Sequence, residues 1–164
     1  MRGSSSHLLD GMLAAGGVMA DYHGTTLIRH FGDPHAEYVA ATEGVAVFDR
    51  SHRTRMVVSG RSPGQMLNGI LTGAMPGPPE PVGEGVLRGA ATYHAVLTPK
   101  GKMITDLWCL LRGEEEVDGF LLDVPVAGAA GLTGHLARFL PPRLAKLDDV
   151  TETISAISVA GVIG

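Results

Sequence analysis

The chain is short of the residues that anchor several common kinds of chemistry. It has a single cysteine, Cys109, which excludes an internal disulfide and any cysteine-built zinc cluster. Aromatic residues are few at 5%, with Trp108 the only tryptophan. Basic residues are outnumbered, 13 against 17 acidic, for a net charge of −4, so no basic footprint for nucleic acid exists. No apolar run reaches the roughly 20 residues that a membrane-spanning helix needs; Asp10 and several glycines interrupt Leu8 to Ala20. That stretch also makes a poor signal peptide, which points to a cytoplasmic protein. What remains is 164 residues, 45% of them hydrophobic. This is enough for one domain with a buried core.

Residues 1–20 are rich in glycine, serine and alanine, and Met1-Arg2-Gly3-Ser4 reads as vector-derived or as a misassigned start. They are expected to be disordered and outside the fold, which then covers residues 21–164. Asp33-Pro34 signals a helix start, with Asp33 as cap and Pro34 in the first turn. Residues 53–59 read as a strand, and Ser62-Pro63 opens a second helix carrying Met66, Leu67, Ile70 and Leu71. The glycine- and proline-rich residues 73–89 read as a loop. Residues 91–98, 103–112 and 120–124 form a predicted three-strand meander, with Glu114 to Glu116 at a solvated turn. A helix over 126–140 carries Leu132, Leu136 and Leu140 on one stripe despite three internal glycines. A last strand is expected at 152–159, and the apolar ending Val162-Ile163-Gly164 suggests that more protein follows. The pattern predicts an α+β fold, an antiparallel or mixed sheet with helices packed on it.

Strand alternation places Ile104, Asp106, Trp108 and Leu110 on one face and Thr105, Leu107, Cys109 and Leu111 on the other. Both faces are apolar, so the strand is expected to be covered on both sides, with Asp106 its one interior charge. A buried carboxylate must be paired, hydrogen-bonded or protonated. It can belong to a structural ion pair with Arg53, Arg55 or Arg88, or it can anchor a ligand amine or pterin edge. The cluster Asp49-Arg50-Ser51-His52 is too local for a catalytic triad and reads as a turn. The seven histidines have no metal-ligand spacing. Gly83-x-Gly85-x-x-x-Gly89 misses the dinucleotide-binding fingerprint.

Taken together, several segments resemble the folate-binding aminomethyltransferase superfamily, which includes the glycine-cleavage T-protein and the YgfZ-type folate-binding proteins. They are residues 44–52 (Gly-Val-Ala-Val-Phe-Asp-Arg-Ser-His), 57–60 (Val-Val-Ser-Gly), 66–72 (Met-Leu-Asn-Gly-Ile-Leu-Thr) and the strand from Thr98 to Leu110. The resemblance runs from about Asp21 to the end and covers only the N-terminal portion of proteins about twice as long, so it implies a truncated folate-binding domain. It implies tetrahydrofolate as cofactor, Asp106 as the catalytic carboxylate, and Asp106, Tyr93, Trp108 and Arg53 around the folate; it implies no metal. Arg53 stands where T-proteins place a methionine, and their asparagine near Pro125 is missing. Residues 98–102, 122–125 and 144–150 look closer to the YgfZ type. The resemblance therefore implies first a folate-binding protein linked to one-carbon metabolism or to iron–sulfur enzyme maintenance. Its alternatives are a T-protein-like aminomethyltransferase working with a lipoyl carrier protein, and an inactive truncated domain.

Overall fold

The structure is a computed structural model that describes residues 7–113 and 118–161. The expected turn at Glu114 to Glu116 and the ends Met1 to Ser4 and Val162 to Gly164 lie outside the described residues. The chain forms two compact units. One comprises Arg53–Thr151; the other joins the residues up to His52 with those from Glu152.

The larger unit is built on a five-stranded, wholly antiparallel sheet, ordered β10-β4-β9-β8-β7. Its strands are β4 (Thr54–Ser59), β7 (Thr92–Leu97), β8 (Met103–Leu111), β9 (Phe120–Val124) and β10 (Lys146–Asp149). The meander β7-β8-β9 follows the sequence pattern. Helices α3 (Pro63–Asn68) and α4 (Val126–Phe139) belong to the same unit. Leu132 and Leu136 of α4 are fully buried, in a core with Leu107, Cys109, Leu122 and Val124. Burial pushes the Cys109 thiol up to about 12, so it is an inert core group. The glycines of α4 have a packing role: a β-carbon on Gly128 would strike Thr105, and one on Gly131 would lie 3.1 Å from Ile104. The helix rests this closely on β8 because those positions lack side chains.

Residues 73–89 are not all loop. They contain a small exposed hairpin, β5 (Glu80–Gly83) and β6 (Val86–Arg88). β10 is a charged edge strand with an exposed Lys146–Asp148 ion pair; charge of this kind discourages edge-to-edge association.

The smaller unit holds α1 (His7–Ala14), the hairpin β1 (Val18–Tyr22) and β2 (Thr25–His30), α2 (Pro34–Glu43), β3 (Val45–Asp49) and β11 (Ile157–Gly161). Residues 7–20 are thus folded, contrary to the expectation of disorder. His23 and Gly24 both take positive φ in the two-residue turn between β1 and β2, as right-handed strand twist requires. Asp33 caps α2, accepting from the backbone N–H groups of His35 and Ala36 at 2.9 and 3.2 Å, as its sequence signal predicts. The last strand falls at 157–161 instead of 152–159, and it pairs antiparallel with β3. Among the described residues, no helix is long and apolar enough to cross a membrane.

Candidate functional site

The candidate site lies on β7, β8 and β9, on the face of the sheet opposite α4. One face of β8 is covered as expected: Thr105, Leu107, Cys109 and Leu111 are buried. The other is not. Asp106 is half-buried, Trp108 is 41% exposed and Tyr93 is 56% exposed. The expectation of a strand covered on both sides is therefore corrected, because alternation fixes which residues share a face but not what packs on it. Ile104 also departs from its expected face. The register passes from Val96↔Thr105 to Leu97↔Met103, which leaves Ile104 as the extra residue of a bulge. Its side chain packs at Gly131 of α4.

Asp106 has no ion pair among the described residues. The three arginines considered for it are engaged or placed elsewhere. Arg53 donates from Nε to Asp123 Oδ2 at 2.7 Å and from a terminal nitrogen to the Asp123 carbonyl at 2.9 Å. Arg55 donates to the Thr151 carbonyl at 2.9 Å. Arg88 is exposed on β6. What Asp106 does have is Tyr93, whose hydroxyl donates to Oδ2 at 2.6 Å. The register explains this contact. Ala95 stands opposite Asp106 and Tyr93 opposite Trp108, so the tyrosine reaches diagonally past a short side chain. Its ring also meets Trp108, centroids 5.1 Å apart and planes tilted by 54°. Oδ1 of Asp106 has no protein partner among the described residues.

The sequence reading did not single out Asp123 as a site residue. It faces Trp108 across the β8–β9 ladder and holds Arg53 in a largely buried pair. Its Oδ1 is buried without a hydrogen-bond partner. The signal was present in the alternation of Phe120–Val124, which puts Leu121 and Asp123 on one face. The site is thus an aromatic pair, Tyr93 and Trp108, flanked by two carboxylates. Among the described residues, only Asp123 of the two is paired with a cation. Such a surface suits a flat ring that stacks on Trp108 and presents N–H groups to a carboxylate.

The hydrogen bond to Asp106, followed by burial and by the charge of Asp106, holds the Tyr93 hydroxyl above the ordinary tyrosine range, against an opposing effect of Arg53. The neutral phenol is the form that donates. This contact therefore supports folding at and below the usual tyrosine pKa of about 10 and is lost as pH rises through the higher folded value. In an ultraviolet titration, Tyr93 is expected to ionise at higher pH than a free tyrosine. Asp106→Ala should bring that step back down; an unchanged titration would mean that the contact is absent in solution.

Elsewhere, Asp49 accepts from the Ser51 backbone N–H at 2.8 Å, which makes residues 49–52 a local turn as expected. Among the described residues, no cluster of three or more histidine, cysteine, aspartate or glutamate side chains could hold a metal.

No family model matches the chain. It is similar to curated aminomethyltransferases. It is 29% identical to that of Nitrosococcus oceani over 114 residues, covering 70% of this chain and 29% of the relative. It is 25% identical to that of Thermus thermophilus over 155 residues, covering 94% and 41%. In fold it matches the glycine cleavage system aminomethyltransferase T of Bartonella henselae at a TM-score of 0.68, with 15% identity, over 94% of this chain and 39% of that one. In sequence and in fold the chain is thus similar to aminomethyltransferases. Its α+β fold is that of an aminomethyltransferase, and it spans 29–41% of the length of these two curated relatives. Both curated relatives are named aminomethyltransferases, which favours the T-protein-like alternative over the YgfZ-type reading; nothing in these comparisons supports iron–sulfur enzymes as partners.

Proposed function

We propose that this chain forms the folate-facing part of a glycine-cleavage T-protein-like aminomethyltransferase, with tetrahydrofolate on the Tyr93–Trp108 surface. The observation that carries the reading is the unpartnered Oδ1 of Asp106 beside an exposed tryptophan. These residues fit a reduced pterin, which is flat, apolar on its faces and edged with N–H donors. Tetrahydrofolate, when bound, supplies the nitrogen that accepts the one-carbon unit. Trp108 and Tyr93 provide the stacking surface, and Asp106 orients an N–H and stabilises positive charge near it by fixed electrostatics. Tyr93 holds Oδ2 through its hydroxyl, which leaves Oδ1 to accept from the ligand. Arg53, tied to Asp123, borders the surface without neutralising Asp106. In this reading the donor is an aminomethyl group on the lipoyl arm of a carrier protein, and the protein is a cytoplasmic enzyme.

Titration with tetrahydrofolate under anaerobic conditions tests the reading. Trp108 emission should change saturably, and the melting temperature should rise, because a ligand that binds only the native state stabilises it. A folded chain that shows neither response would refute the reading.

A further inference from the structure

β4, β9 and β8 are neighbours in the sheet of the larger unit. Thr54 pairs with Val124 in one ladder and Trp108 with Asp123 in the other. Continued by one residue in the first ladder and by two in the second, the registers bring Arg53 and Asp106 level with Pro125. The three residues therefore stand on one line across the sheet. Two strand spacings, about 10 Å, separate the backbones of Arg53 and Asp106, and the position between them carries only a proline ring. Both side chains belong to the face of Trp108, because Arg53 reaches Asp123, the residue opposite the indole. A guanidinium and a carboxylate thus flank a gap that neither closes, since no ion pair joins them. The charge of Arg53 is felt on this face all the same, opposing the upward shift of the Tyr93 hydroxyl.

Asp123 does not use up Arg53. It accepts from Nε and from one terminal nitrogen. The other terminal nitrogen makes no hydrogen bond among the described residues and keeps contact with solvent. A guanidinium is planar, with its N–H donors in a fixed fork. Holding two nitrogens therefore fixes where the third points and leaves it free to donate. A purely structural ion pair needs only the first two. Across the gap, Oδ1 of Asp106 also lacks a protein partner among the described residues. We infer that Arg53 is a specificity-determining residue of this site: its outward nitrogen donates to a ring carbonyl of the ligand while Asp106 accepts from a neighbouring ring N–H. The inference rests on the folate reading and defines the substrate class as flat heterocycles with a lactam edge, a C=O beside an N–H. In a reduced pterin the C4 oxygen has a ring N–H on each side, at N3 and N5, so either side of that edge can satisfy both residues. A pterin with an amino group in place of the C4 oxygen sets donor against donor and leaves Arg53 unsatisfied.

The test compares tetrahydrofolate with its 4-amino-4-deoxy analogue, titrated anaerobically into the full chain and followed by Trp108 emission. The unaltered protein should favour tetrahydrofolate by about tenfold or more, the scale of one charge-assisted hydrogen bond. The double variant Arg53→Met with Asp123→Leu removes both members of the pair together, so no charge is stranded. It should bring the two affinities to within about threefold of each other. Arg53→Lys is the second variant. It keeps a positive charge for Asp123 but has a single nitrogen, so it should also lose most of the preference. Equal binding of the two compounds by the unaltered protein would overturn the inference and leave the folate reading standing. A preference undiminished in either folded variant would overturn it too, because the analogue also lacks the N3 hydrogen and Asp106 would then account for the discrimination. Binding of neither compound would end the folate reading and the inference with it.

Discussion

Exchange of Asp106 for asparagine is expected to weaken tetrahydrofolate binding about ten- to a hundredfold while leaving the melting temperature nearly unchanged. The substitution keeps shape and removes charge. The amide oxygen can still accept from Tyr93, so the local hydrogen bond survives. What is lost is the charge-assisted bond from ligand N–H to Oδ1, about 1.5–3 kcal/mol, and each 1.4 kcal/mol is about tenfold in affinity. Because Asp106 is half-buried and has no ion pair among the described residues, its charge contributes little to folding. Equal binding by the two proteins, measured by Trp108 emission, would show that the carboxylate does not hold the ligand.

The second large effect is expected at Asp123. Removing its carboxylate with Asp123→Ala leaves Arg53 without the acceptor for Nε in a site where that side chain is only 12% exposed. Breaking such a pair costs about 3–5 kcal/mol, mostly from the stranded charge. In a unit of this size each kcal/mol moves the melting temperature by about 4–8 °C, so a fall of more than about 10 °C is expected. The double variant Arg53→Met with Asp123→Leu should recover most of it, because an apolar pair of similar volume asks for no desolvation. Denaturant unfolding of both single variants and the double variant measures the coupling. Additive losses would mean that the two side chains do not interact.

The resemblance to one superfamily and the antiparallel meander were legible from the chain because both rest on local pattern. Asp33 and Pro34 marked the start of α2, and alternation in β8 separated Asp106 and Trp108 from the buried row. Contacts that depend on register were not legible. Tyr93 lies 13 residues before Asp106, and only the pairing of β7 with β8 brings its hydroxyl within reach. The bulge at Ile104 is set by the partner strand, so β8 read alone misplaces that side chain. Arg53 chose Asp123, 70 residues away, over the nearer carboxylate that spacing offered. The division into two units depends on β3 meeting β11, a pairing between distant parts of the chain. β10 was hidden by its charges, which suit an edge strand but resemble a loop.

Replacing a helical glycine with alanine ordinarily strengthens a helix by about 1 kcal/mol. At Gly128 the added methyl group would meet Thr105, the residue next to Asp106 on β8. A thermostabilisation effort guided by helix propensity alone would thus push against the strand that carries the acidic group, from the far side of the sheet. The bare backbone at that position works as a spacer of fixed thickness, and designers of sturdier variants should leave it untouched.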